Sequence, residues 1–330
     1  MSRPTVLVTG GAGYIGSHVL LALLEKEFPV VVLDNLSTGH REAIPDACRF
    51  VEGDAGDREL LAKLFSSEQI GAVLHFAGSI IVEESVEEPI KYYENNTVVS
   101  LRLIQACVEA GVNNFIFSST AAVYGDNATT PVTESSVLSP INPYGHSKAM
   151  TEQFLSDTAA ATPLTYIALR YFNVAGADPE CRTGQRSKQS THLLKVACET
   201  ALGKREQMTV FGSDYPTRDG TCVRDFIHVS DLATAHVCAM EYLLDHDQSL
   251  VLNCGYGSGY SVRQVLDALQ EITGEKMNII DGERRPGDAV ELVADNSSLT
   301  SRLSWTPVHD NLKTIITDAL RWEKHFHSKS

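Results

Sequence analysis

Short apolar runs alternate along the chain with longer segments in which apolar positions recur every three or four residues. TVLVT (5–9) precedes a helix-like segment from Tyr14 to Lys26, and VVVLD (30–34), CRFVEG (48–53), AVLHFA (72–77), FIFSS (115–119) and YIALRY (166–171) follow in turn. Runs rich in β-branched and aromatic residues, too short for helices and separated by helical patterns, predict βαβ units and a parallel sheet buried on both faces. The longest helical segments are predicted near 90–110 and 144–160, the first with Val98, Leu101, Ile104 and Val108 on one stripe. Their outer faces are either solvated or the contact of a homodimer.

After Asn173 the pattern breaks into a long polar stretch, AGADPECRTGQRSKQST (175–191), the expected boundary between two units. The fold class that follows is α/β: a doubly wound parallel sheet of Rossmann type over 1–172, then a smaller C-terminal α/β unit over 173–330. Helices are predicted in the second unit near 189–203, 261–273 and 311–324. The segment VRDFIHVSDLATAHVCAMEYLL (223–244) and the strand-like LVLNCG after it are candidates to return to the first unit, which would give it part of 225–256.

The first strand runs directly into GGAGYIG, with Gly10, Gly13 and Gly16 spaced by three and a helix opening behind them. Glycines there permit a tight turn and let backbone N–H groups approach a pyrophosphate, whose charge a helix N-terminus favours. The second strand ends in Asp34, 18 residues beyond Gly16. An acid at that place accepts hydrogen bonds from ribose hydroxyls and repels a 2′-phosphate, so the cofactor expected is NAD rather than NADP. Asp54, after the third strand, is either a contact to the adenine or an ordinary helix N-cap.

Composition narrows the partners. Lys and Arg number 27 against 42 Asp and Glu, a net charge of -15, which disfavours nucleic acid and anionic membrane as partners. The seven cysteines contain no C-x-x-C pair and no metal-like spacing with histidine, so reduced thiols and no metal are expected. The first residues lack a signal-peptide pattern and no stretch of about 18 apolar residues occurs, which points to a cytoplasmic protein.

NPYGHSKAM (142–150) places Tyr144 and Lys148 one helical turn apart behind a proline. A phenol with an ordinary pKa of about 10 is a poor base, but a fixed ammonium and a positively charged nicotinamide would lower it. Tyr144 could then exchange a proton with a substrate hydroxyl. Thr120 in FSSTAAVYG (117–125), at the carboxyl end of the fifth strand, is positioned to bond the same hydroxyl. These residues resemble the extended short-chain dehydrogenase/reductase superfamily. VTGGAGYIGSH, DNLSTGH, HFAG, YYENN, FSSTAAVYG, SPINPYGHSK, RYFNVAGA, FGSDYPTRDGTCVRDFIHVSDLA and RRPGD together resemble its UDP-glucose 4-epimerase family nearly end to end.

The resemblance implies an isomerase with tightly held NAD, in which Tyr144 is the base, Lys148 its electrostatic partner and Thr120 a hydroxyl contact. It implies NAD contacts from Gly10, Gly13, Tyr14, Ile15 and Gly16; from Asp34, Asn35, Ser37, Thr38 and Gly39; and from Asp54, Ala55, Phe76, Ala77, Gly78, Asn95, Tyr144, Lys148 and Phe172. For a UDP-sugar it implies Thr120, Tyr144, Asn173, His192, Leu193, Thr209, Phe211, Arg224, Arg285, Asp288 and Leu292. Guanidinium groups suit a pyrophosphate, although Arg224 and Arg285 could equally sit in surface ion pairs. Leu292 stands where bacterial relatives often have tyrosine, which would leave room for an N-acetyl group. Ile80 replaces a lysine common in the family, and Thr120 a serine. A UDP-xylose/UDP-arabinose 4-epimerase would use the same Tyr144, Lys148 and Thr120. A 4,6-dehydratase needs an acid after Thr120, where the chain has Ala121 and Ala122, and a non-catalytic NAD-binding regulator predicts a degraded Tyr144 or Lys148.

Overall fold

Successive residues of the first strand point to opposite sides of the sheet: Val6 and Val8 enter one core cluster and Leu7 the other. The second strand repeats this, with Val30 and Val32 on one side and Val31 and Leu33 on the other. Unbroken apolar runs are therefore the signature of a sheet covered by helices on both faces. The structure, a computed structural model, describes residues 3–126, 129–187, 191–285 and 288–327.

In chain order the strands are β1 (Thr5–Thr9), β2 (Val30–Asp34), β3 (Arg49–Glu52), β4 (Ile70–His75), β5 (Asn114–Thr120), β6 (Thr165–Tyr171), β7 (Asn173–Ala175), β8 (Met208–Phe211), β9 (Val223–His228), β10 (Leu250–Cys254), β11 (Gly259–Ser261), β12 (Ile279–Gly282) and β13 (Glu291–Leu292). Seven form one parallel sheet in the order β10-β6-β5-β4-β1-β2-β3. The order reverses between β1 and β4, and ligands of such sheets bind at that switch point, outside the carboxyl ends of the strands. β10 is an edge strand of this sheet, so the chain returns to it after passing through the second unit.

The second unit has its own core, with Leu194, Val210, Phe226, Leu266 and Ile316 among its buried members. In it β9 is flanked by β11, β13 and β7, and β8 pairs with β12. The helix expected over 189–203 runs Leu193–Ala201, residues 188–190 lying outside the described ones. A small fourth cluster, Ala121, Val123, Tyr124, Val132, Phe172 and Ala294 with Leu292 against it, joins the two units beside the end of β5. No helix among the described residues is long and apolar enough to cross a membrane.

The helix expected near 90–110 departs from the simple pattern. Pro89–Tyr92 and Val99–Ala110 are α-helical, but Tyr93–Val98 between them is a π-type turn. Such turns insert one residue into the hydrogen-bond ladder and re-aim the side chains around it. Here they are Asn95, exposed, and Asn96, buried.

Candidate active site

Gly10 lies at φ 72°, and a Cβ built on it would stand 2.5 Å from the Ala77 nitrogen. A Cβ on Gly16 would fall 2.3 Å from the Gly10 oxygen, so the turn and the start of the helix Tyr14–Glu25 close only around glycine. Asp34 holds this loop from the next strand: Ala12 N–H donates to one carboxylate oxygen at 2.9 Å and Leu36 N–H to the other at 2.8 Å. Each oxygen keeps a lone pair for a further donor, as the ribose reading requires. Leu36 adopts φ 55°, a left-handed conformation unusual for leucine, at the turn that exposes Asn35, Ser37 and Thr38. Gly39 lets this turn approach the glycine loop, since a Cβ on it would meet the Ala12 Cβ at 2.6 Å. The resulting cradle, open where side chains would fill it and lined with backbone N–H groups, fits a dinucleotide pyrophosphate.

Two expectations divide at this end of the site. Asp57, not Asp54, caps the helix Arg58–Ser67 by accepting from Glu59 and Leu60 N–H. Asp54 instead accepts from Gly56 N–H at 2.7 Å and stays exposed beside Asn35, with Ala55 buried behind it. The Tyr14 side chain is committed elsewhere, its hydroxyl donating to the Gly176 oxygen at 2.7 Å. Tyr14 and Ile15 are left to contribute through backbone at the helix start.

The second half of the site is built on the helix Pro143–Ala161. Pro143 occupies its first turn, and Asn142 caps it by accepting from Gly145 N–H at 2.8 Å. Tyr144 is half-buried, with its ring edge-on to Tyr92 at 6.5 Å. Burial raises the phenol above its ordinary pKa, and a hydrogen bond with the Thr120 hydroxyl acts in the opposite direction. The Thr120 oxygen accepts from Ala122 N–H at 3.1 Å, which leaves its own proton for the phenol oxygen. Lys148 is buried; its ammonium donates to the Ser118 carbonyl at 2.9 Å and lies 4.9 Å from the Phe117 ring centre. Burial lowers its pKa to about 8, against the raising charge of Glu152. In the chain alone desolvation outweighs the Thr120 contact, and the lowering expected of Lys148 acting together with a charged nicotinamide belongs to the cofactor-bound site.

Phe76, Ala77 and Gly78 follow β4 into the space between the halves. A Cβ on Gly78 would lie 2.8 Å from Asn96 Oδ1 and 3.9 Å from Lys148 Nζ. Asn95 donates to the Ser79 hydroxyl at 3.0 Å and remains exposed to the site. Phe172 is buried beyond β6, its N–H donating to the Cys254 oxygen at 3.1 Å.

Arg224 and Leu292 are register partners on β9 and β13. The Arg224 guanidinium donates to the Val223 and Ala289 oxygens, each at 2.8 Å, and to Asp288 at 3.3 Å. Arg285 lies over the Phe211 ring at 4.0 Å and pairs with Glu83 at 3.3 Å. Both arginines do sit in ion pairs: Arg224 with Asp288 within the second unit, and Arg285 with Glu83 of the first, a partly exposed pair. Asn173 is exposed at the start of β7, Thr209 is half-buried on β8, and His192 and Leu193 open the helix Leu193–Ala201. Within RRPGD, Pro286 and Gly287 lie outside the described residues.

A model of the NAD dependent epimerase/dehydratase family matches residues 6–255. The chain belongs to the NAD dependent epimerase/dehydratase family. It is 54% identical over 323 residues to the UDP-glucose 4-epimerase of Azospirillum brasilense, covering 98% of this chain and 93% of that one. The solved UDP-glucose 4-epimerase from Brucella ovis in complex with NAD superposes with a TM-score of 0.94 at 42% identity, over 97% of this chain and 98% of that one. The UDP-Glc/GlcNAc 4-epimerase from Campylobacter jejuni gives 0.86 at 47% identity, over 98% and 99%.

This epimerase/dehydratase chain also uses residues that sequence reasoning missed. Asn96 accepts from Ser79 N–H at 2.7 Å and donates to the Ser79 oxygen and the Ser147 hydroxyl, each at 3.0 Å. It ties the loop after β4 to the helix that carries Tyr144 and Lys148. Glu152 ties the same helix to the sheet, accepting from Ser119 on β5 and from Arg170 on β6. The doubled asparagine of YYENN and the repeat of Tyr144, Lys148 and Glu152 at four-residue intervals were the available signals.

Proposed function

We propose that the chain is an isomerase that interconverts UDP-galactose and UDP-glucose at sugar C4, with NAD as resident cofactor. The observation that carries this reading is the convergence of Tyr144, Thr120 and Lys148 at the carboxyl end of β5, beside the glycine loop at the switch point of the sheet. NAD when bound supplies reversible hydride transfer at C4. Tyr144 takes the proton of the 4-hydroxyl and later gives it back. The Thr120 hydroxyl, already fixed by Ala122 N–H, steadies the ionised phenol. Lys148, still largely protonated at neutral pH with its pKa near 8, adds positive charge in a buried setting where charge acts strongly.

For the substrate, Arg224 and Arg285 would meet the diphosphate, with Asp288 orienting Arg224. Asn173, His192, Leu193, Thr209 and Phe211 would surround the nucleotide. The UDP-glucose 4-epimerases at high identity over nearly full length support the substrate class. Purified protein is expected to carry NAD and to turn over UDP-galactose with no added oxidant. A coupled assay with no turnover of either hexose, in protein shown to contain NAD, rejects this reading.

Leu292 packs on the cluster around Phe172 and is shorter than tyrosine, which supports acceptance of N-acetylated UDP-hexosamines as well. Leu292→Tyr is expected to lower the turnover ratio of UDP-N-acetylglucosamine to UDP-glucose about tenfold, the scale on which a filled pocket discriminates. An unchanged ratio excludes that role. Exposed Val98, Leu101 and Met150 on the two long helices support a homodimer, for which light scattering should give twice the chain mass. Such an enzyme would act in galactose metabolism and, without a membrane-spanning helix among its described residues, in the cytoplasm.

A further inference from the structure

Glu83 has no part in the expected sites, yet folding brings it against Arg285, one of their cations. It lies on the short helix Val82–Glu87 of the first unit, and its carboxylate stands 3.3 Å from Arg285 of the second. Desolvation lowers the pKa of His192 and the charge of Glu83 opposes that, so the field of the same carboxylate extends to His192. The helix is held independently of these contacts: Ile81 N–H donates to the Tyr92 hydroxyl at 2.9 Å, and Lys91 pairs with Glu84 at 2.6 Å. Arg285 is likewise steadied without Glu83, by its stacking on Phe211 at 4.0 Å.

We infer that Glu83 is an internal counter-anion of the diphosphate subsite, which occupies Arg285 across the cleft and weakens the hold on a nucleoside diphosphate. The inference rests on the UDP-sugar reading above. A diphosphate arriving at Arg285 has to displace the carboxylate or share the guanidinium with it, and like charges at this distance repel. Both partners are partly exposed, at 36% for Arg285 and 51% for Glu83, so the effect is that of a surface pair and is sensitive to salt. Glu83 thereby favours release of a product that the arginines would otherwise retain.

The test is calorimetric titration of the NAD-loaded protein with UDP, and separately with uridine. Glu83→Gln is expected to tighten UDP about two- to fivefold at low salt, the size of one exposed ion pair, and to leave uridine unchanged. The gain should vanish at about 1 M salt, where the screening length falls to about 3 Å. A purely structural role would not produce that salt dependence. Glu83→Ala has the same expected direction, and thermal melting verifies that either variant is folded. UDP binding that is unchanged or weaker in a folded variant overturns the inference alone, whereas failure of the wild-type protein to bind UDP overturns the UDP-sugar reading and this inference with it.

Discussion

Tyr144→Phe is expected to lower the turnover of UDP-galactose by about 10²- to 10⁴-fold, the range over which a positioned general base contributes. The substitution removes one oxygen and keeps the ring, so the edge-on contact with Tyr92 survives. Thr120 keeps its bond from Ala122 N–H and loses only its own bond to the phenol, so the fold around it is left intact. Melting temperature and NAD content should therefore match wild type while kcat collapses. A loss smaller than about tenfold would remove Tyr144 from the role of base. The wild-type pH profile carries a second check. A base must be ionised, so activity falls on the acid side as the phenol takes its proton. Burial raises that phenol in the chain alone, so an acid limb well below its ordinary range would report the positive charge of bound cofactor. On the basic side the ammonium of Lys148 is lost as pH rises through about 8, and activity should fall there.

The sheet and the pairing of Tyr144 with Lys148 were legible because both depend on local patterns. β1, β2 and β4–β6 each contain an unbroken apolar run, and Tyr144 and Lys148 are joined by helical geometry alone. Asp34 was legible for its place at the end of β2, but not for its grip on Ala12 and Leu36, which depends on how the loop turns. Asn96 was hidden because a regular helix would send it elsewhere; only the π-type turn over Tyr93–Val98 gives it both Ser79 and Ser147. Glu83 was hidden for a different reason. Its partner Arg285 lies some two hundred residues away on the other unit, and nothing in VEESVE marks which acid will face the cleft. Asp54 was left between two roles because GDAGD offers two acids, and only the turn shows that the cap is Asp57, three residues on.

The largest effect on stability is expected at Glu152. Its carboxylate receives two hydrogen bonds from the Arg170 Nε, at 3.0 and 3.2 Å, and one from Nη2 at 2.6 Å, with both side chains almost wholly buried. The same guanidinium donates to the Tyr124 hydroxyl at 2.8 Å and the Glu134 oxygen at 3.2 Å, and Tyr124 passes its proton to Asn253 at 2.7 Å. Glu152→Ala leaves Arg170 buried without its counter-charge, which costs about 3–5 kcal/mol. Urea denaturation followed by circular dichroism should show the midpoint falling accordingly, and a midpoint equal to wild type would refute the account. Removing both charges together, Glu152→Leu with Arg170→Met, should recover most of the loss, because the penalty belongs to the orphaned charge rather than to the missing attraction. The folded fraction of Glu152→Ala would carry a functional mark too. Lys148 sits one turn before Glu152 and loses the charge that holds its pKa up, while the uncompensated Arg170 acts in the same direction. The basic limb of its pH profile should therefore move to lower pH, linking the pair that anchors the helix to the ammonium that serves Tyr144.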